Sequence, residues 1–131
     1  MESKQSGELK LLQNIVTSED TTSTITTADL HVSPNGKYVL ISSRDKSAKN
    51  NEIISFKINK DSGKVRLSSR IKSEHLPRSF CMSKSGKFIY VAGQGDSKLG
   101  AYTVNPDNGS LKKITQYDIG AKAIWVESLR K

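Results

Sequence analysis

The chain has 131 residues, 34% of them hydrophobic and 6% aromatic, which is enough for one domain whose core is thin or shared with a neighbour. Its formal charge of +8 comes from 21 Lys and Arg residues scattered through turns and outer strands, with no basic run that would grip a nucleic-acid backbone, so no nucleic-acid partner is expected. No apolar run approaches the roughly 18 residues of a membrane span and the polar start MESKQSGELK does not read as a secretory signal, so no membrane partner is expected and the expected location is cytoplasmic.

In chain order, Gly7 opens a short segment of mixed alternation, Glu8-Leu9-Lys10-Leu11-Leu12. Residues 17–27, TSEDTTSTITT, have no helical apolar spacing and read as an exposed loop. A first strand over 29–33 then leads through Pro34-Asn35-Gly36 into a second over 38–42. Its Val39, Leu40 and Ile41 are apolar on both faces, as in a strand inside a stack. After a polar loop over 44–51, a third strand over 53–58 places Ile54, Phe56 and Ile58 on one side. Residues 59–63 turn the chain, and Val65 and Leu67 mark a fourth strand with Lys64 and Arg66 outward.

The same order follows again, with strands over 78–83, 88–92, 99–104 and 111–117, and residues 123–126 match the first strand of a third unit. Ser33-Pro34-Asn35-Gly36-Lys37-Tyr38 and Ser83-Lys84-Ser85-Gly86-Lys87-Phe88 share one turn pattern, and their glycines are fifty residues apart. Gly7, Gly63 and Gly109 each follow Ser or Asn and open a strand. Cys81, the single cysteine, lies between Phe80 and Met82 in an apolar strand and reads as a packed thiol.

Four antiparallel strands per unit, a period in the forties to fifties and no helical pattern point to an all-β fold of β-propeller blades. A β-sandwich has no reason to place the same turn at the same point of successive four-strand groups. The repeats cover about 28–73 and 76–119, with partial strands at 7–16 and 122–128, so residues 1–131 read as one partial propeller. A ring needs at least four blades. The expectation is therefore part of a larger ring, or self-association through open blade faces.

The succession ADLHVSPNGKYVLISSR, LPRSFCMSKSGKFIYVAGQ, LGAYTVNPDNGSL and IGAKAIWVES resembles the C-terminal part of the seven-bladed propeller lactonases, the bacterial-type 6-phosphogluconolactonases, a family related to fungal muconate-lactonising cyclases. The resemblance is collinear over about residues 28–128. It implies a hydrolase that opens a small-molecule sugar lactone in the pentose phosphate pathway, with no metal or other cofactor. It also implies that Trp125 and its neighbours form the innermost strand of the closing blade.

Lactone opening needs a base to activate water and cations or donors to hold the oxyanion, and a phosphorylated substrate needs Arg or Lys for its phosphate. Arg78, in Pro77-Arg78-Ser79-Phe80, matches the family's Pro-Arg position and resembles its catalytic channel arginine. The family's acid stands sixteen residues after the Pro-Arg of an earlier blade. The same offset here falls on Gln94, a neutral amide suited to a substrate hydroxyl. His31, on an inner strand, and Arg44, at the end of the second strand, are the other candidate substrate-binding residues. Each of the four also has a purely structural reading: an edge arginine bonding carbonyls, a packed histidine, an arginine on a solvated loop and a turn-closing glutamine. His75 reads as exposed. The resemblance places the catalytic His and Glu in other blades. Three functions follow: a 6-phosphogluconolactonase-like hydrolase, a related lactonase or cycloisomerase for another acidic lactone, and a truncated propeller acting by protein contact.

Overall fold

The computed structural model describes residues 7–20 and 24–129. They form eight strands: β1 (Ile25–Val32), β2 (Tyr38–Asp45), β3 (Glu52–Ile58), β4 (Val65–Lys72), β5 (Pro77–Met82), β6 (Phe88–Gly93), β7 (Lys98–Val104) and β8 (Leu111–Asp118). Each group of four is an antiparallel meander, β1-β2-β3-β4 and β5-β6-β7-β8. The two sheets stack face to face, in closer contact along β1 and β5 than along β4 and β8, as blades of a propeller do. No helix of the described residues is long and apolar enough to cross a membrane.

The repeat seen in the sequence is a repeat of backbone conformation. Ser33 N–H donates to Tyr38 O and Gly36 N–H to Ser33 O, each at 2.8 Å. The same pair of bonds, Ser83 to Phe88 and Gly86 to Ser83, closes the second turn. Gly36 and Gly86 adopt φ of +68° and +70°, a region open to glycine at little cost. Leu76 and Lys122 take the same left-handed region at φ +51° and +58° without being glycine, each just before an inner-strand segment.

Several element bounds differ from the sequence expectation. The Thr-rich stretch enters β1 at Ile25, because Ile25, Thr26 and Thr27 pair with Asp45, Arg44 and Ser43, and β-branched side chains fit a pleated surface. Residues 21–23 of that expected loop lie outside the described residues. Ser33 belongs to the turn, where its Oγ accepts the Tyr38 N–H at 3.0 Å. β2 runs on to Asp45. Residues 123–126 form no ladder. They run beside β5, held by Val126 N–H to Ser79 Oγ at 3.3 Å and Ser128 Oγ–H to Met82 O at 3.1 Å. His75 is half-buried over Gly95, whose Cβ would lie 2.4 Å from His75 Nδ1. Cys81 is buried, as expected, and burial together with the Glu127 and Asp29 charges pushes its thiol pKa up.

The core lies between the sheets. Tyr38, Leu40 and Ile53 from the first meet Phe80, Ile89, Val91 and Tyr102 from the second. Burying side chains of this size contributes about 1.5–3 kcal/mol each. Tyr38 also anchors the β7–β8 turn: its hydroxyl donates to Asp107 O at 2.6 Å, and Gly109 comes so near its ring that an added Cβ would clash with it. Ser55 Oγ–H donates to Gly109 O at 2.8 Å. Under the outer half of the stack Glu74 is wholly enclosed. It accepts the Tyr102 hydroxyl at 2.8 Å and pairs with Lys113, in space left open by Gly100.

The other face of the first sheet carries Ile41, Ile54 and Phe56, covered in part by Ile15. The segment bearing Ile15 is pinned to β4 by Gln13, whose Nε2–H donates to Val65 O at 2.9 Å and whose Oε1 accepts Val65 N–H at 2.8 Å. On the far face of the second sheet Phe88 holds the place of Tyr38 and is 38% exposed where Tyr38 is 2%.

The Tyr38 anchor sets a test. At Gly109, φ is +69° and an added Cβ would stand 2.6 Å from the Tyr38 ring, so Gly109→Ala is expected to cost about 2–3 kcal/mol. Gly36 has φ +68° but open space around it, so Gly36→Ala is expected to cost only about 1 kcal/mol. Urea denaturation of the two variants checks this, and equal losses would remove the special role of the Tyr38 contact.

Candidate functional site

The inner strands each carry an irregularity at one place. In β1, Ala28 and Asp29 together oppose Ser42. In β5, Arg78 is the extra residue between the Pro77–Gly93 and Ser79–Ala92 pairs. A bulge turns a side chain out of the alternating pattern. At β5 that side chain is Arg78, which is exposed on the inner edge.

Arg44 reaches the same place from the end of β2. Asp29, Arg44, Arg78, Ser79, Ile124 and Trp125 line a cleft of about 330 Å³, whose remaining wall is Thr27 and Ala28. One amide helps to bring the two arginines together. Asn51 Oδ1 accepts the N–H of Asp45, next to Arg44, at 2.9 Å and the N–H of Leu76, two residues before Arg78, at 3.0 Å. Asn51 Nδ2–H returns to Asp45 O at 3.2 Å. The left-handed Leu76 then turns the chain into β5.

Asp45 organises the loop that holds Arg44. Its carboxylate accepts the Ser47 hydroxyl at 2.7 Å, Ser47 N–H at 2.8 Å and Asn50 N–H at 3.0 Å. These bonds, that of the Ser47 hydroxyl foremost, outweigh the opposing effect of burial and hold the carboxyl pKa down at about 2. Asp29 joins the sheets. Its Oδ1 accepts Leu30 N–H at 2.9 Å and its Oδ2 accepts Phe80 N–H at 3.0 Å, across from β1 to β5. Ser79 does the same for the next segment through Val126 N–H.

The cleft is electropositive. Neither arginine forms an ion pair among the described residues, and Arg44 Nε is buried without a hydrogen-bond partner. A planar guanidinium with free donors suits a phosphate or carboxylate. Of the four residues expected from the sequence, the structure brings Arg78 and Arg44 together and places His31 and Gln94 elsewhere. His31 packs edge-on against Phe80, ring centroids 4.7 Å apart, with Nε2 3.3 Å from Asp29 Oδ1. Gln94 begins the β6–β7 turn, its N–H donating to Leu76 O at 3.0 Å. Asp29 and Trp125 line the cleft without having been singled out as site residues. The repeat could have found Asp29, since it stands fifty residues before Ser79 at the same irregularity.

Two four-stranded meanders stacked closely along their inner strands, with a cleft on that inner edge, are two consecutive blades of a β-propeller. Residues 1–128 match the family described as the 7-bladed β-propeller lactonases, and the chain belongs to that family. It is 31% identical over 128 residues to a 6-phosphogluconolactonase of Buchnera aphidicola, covering 98% of this chain and 36% of that protein. A 6-phosphogluconolactonase of Yersinia pseudotuberculosis is 33% identical over 107 residues, 82% of this chain and 31% of the relative. The chain thus spans about a third of the length of these curated relatives. In fold it is similar to the Pseudomonas aeruginosa periplasmic gluconolactonase, with a TM-score of 0.80, 24% identity, and coverage of 91% of this chain and 33% of that one.

The Asp45 network gives a pH test. A carboxyl held at about 2 when folded but near 3.9 when unfolded stabilises the fold above about pH 4 and loses that contribution as pH falls through 2. Asp45→Asn is expected to be less stable than wild type at neutral pH, with the difference closing between pH 4 and pH 2. Denaturation midpoints across that range check it, and a constant difference would exclude the linkage.

Proposed function

We propose that these two blades form part of a 6-phosphogluconolactonase-like hydrolase and that the Arg44–Arg78 cleft holds its phosphorylated sugar lactone. The observation that carries this reading is the meeting in one cleft of two arginines from neighbouring blades, neither in an ion pair among the described residues. The names of the curated relatives support the substrate class.

In this reading water adds to the lactone carbonyl and the carbonyl oxygen becomes an oxyanion. Arg78 stabilises that charge, and Arg44 holds the phosphate away from the reacting carbon. The tetrahedral intermediate then expels the ring oxygen, which takes up a proton, and the product is the open hydroxy acid. Asp29 is engaged by two backbone N–H groups, so the cleft supplies the electrostatic half of the reaction. The base that takes the proton from water comes from outside these two blades, where the family resemblance places its catalytic His and Glu. His31 and Gln94 stand outside the proposed contact set.

The uncovered faces fit the same reading. The exposure of Phe88 where Tyr38 is sealed supports further blades seated there, from the same polypeptide or from another copy. The proposed location is the cytoplasm.

The test is hydrolysis of 6-phosphoglucono-δ-lactone against glucono-δ-lactone by a complete ring in which residues 1–128 replace the matching segment of the Buchnera relative. Preference for the phosphorylated substrate is expected, and Arg78→Ala is expected to lower kcat by about 10²–10³. Hydrolysis no faster than the spontaneous reaction, or an Arg78→Ala variant as fast as wild type, would overturn the proposal. A preference for an unphosphorylated acidic lactone would move the assignment to that substrate.

A further inference from the structure

The reading of the cleft as a phosphosugar site leaves Trp125 unexplained. It is the chain's one tryptophan, is 69% exposed, and lines the cleft together with both arginines. We propose that its indole is the platform for the sugar ring, so that the cleft recognises a phosphorylated pyranose or lactone by arginines for the phosphate and an aromatic face for the ring.

The repeat argues that this position has left its structural role. Asp29 accepts the N–H of Phe80, and Ser79 accepts the N–H of Val126. Phe80 and Val126 are thus counterparts, and the residues before them, Ser79 and Trp125, are counterparts too. The left-handed Leu76 and Lys122, each three residues before Ser79 and Trp125, confirm the register. At the first two places the side chain is an acceptor that ties one inner strand to the next. An indole offers only a donor and cannot make that bond. Where a repeated structural rule is broken, function is a common reason.

The chemistry fits a sugar phosphate better than a bare anion. A pyranose or δ-lactone ring presents C–H groups on its face and hydroxyls at its edge, and an indole is apolar across its plane with a donor at its edge. Inorganic phosphate has no such face, so the arginines alone would read it. Trp125 therefore separates phosphosugar from phosphate, whereas Arg44 serves both.

The test is calorimetric titration of the 131-residue chain with glucose 6-phosphate, a stable ring that keeps the phosphate, and with inorganic phosphate as control. Trp125→Ala is expected to weaken glucose 6-phosphate by about tenfold or more while phosphate stays within about twofold. Trp125→Phe should keep most of the affinity, and wild-type tryptophan emission should change saturably with the sugar phosphate. Arg44→Ala, which removes the proposed phosphate contact, should lose both ligands. Circular dichroism and melting confirm folding, and Trp125→Leu, which keeps apolar bulk without the aromatic face, replaces Trp125→Ala if that variant does not fold. An unchanged sugar-phosphate affinity, as when Trp125 only packs against a further blade, overturns the assignment to Trp125 but leaves the arginine site. Equal loss of both ligands does the same. Failure of wild type to bind either ligand overturns both.

Discussion

The contact between Tyr38 and the turn at Gly109 decides how the two sheets meet. A four-stranded meander has two faces and no interior, so neither sheet can bury its apolar residues alone. Seating one on the other encloses Tyr38, Leu40, Ile53, Phe80, Ile89, Val91 and Tyr102 in a single layer. Packing of that kind is non-directional and would tolerate sliding. The Tyr38 hydroxyl on Asp107 O and the bare Gly109 backbone on its ring are directional, and they fix which part of one blade lies over which part of the next. Asp29 makes the corresponding tie at the inner edge by accepting the Phe80 N–H. The stack is pinned at both ends of its radius.

Pinning the inner edge is what makes a site there. Arg44 and Arg78 belong to different sheets, and a shift of one residue in the register of either would send its guanidinium to another face. Asn51 guards against that shift from both sides, because one amide oxygen receives N–H groups from the end of β2 and from the approach to β5. Asp45 in turn shapes the loop that carries Asn51. The polar residues buried at this end, Ser42, Ser43, Asp45 and Asn51, hold the frame that sets Arg44 and Arg78 in one cleft.

Much of the fold was legible in the sequence because it is written in local chemistry. The Ser-x-x-Gly-Lys-aromatic turns require left-handed glycines, and Gly36 and Gly86 have them. Apolar residues on both faces of β2 marked a strand inside a stack, and Leu40 and Ile41 are buried on opposite sides. What failed was written in tertiary contacts. Thr26 and Thr27 looked like loop by composition and became strand by pairing with Arg44 and Ser43. Leu76 and Lys122 carry no glycine to announce their left-handed turns. Within the candidate site, Arg78 was legible through its Pro-Arg setting. That His31 would turn to Phe80, or that Asp29 would bridge two blades, depends on partners fifty residues away, which no local pattern reports.

Comparison of the units with one another separates architecture from chemistry. Positions that recur with the same residue type, such as the turn glycines, or with the same bond, such as Asp29 and Ser79, serve the stacking. Positions that recur in backbone but not in side chain are free to specialise. The bulge position holds Ala28 in the first unit, Arg78 in the second and Ile124 in the third, and only the arginine brings a charge to the cleft. Arg44, the last residue but one of β2, has Gln94, just past β6, as its counterpart fifty residues on. A ring of near-identical blades would surround its axis with identical groups and could not tell one end of a ligand from the other. Divergence at these few inner-edge positions, on a frame that the repeated bonds hold, lets a symmetric fold build an asymmetric cleft.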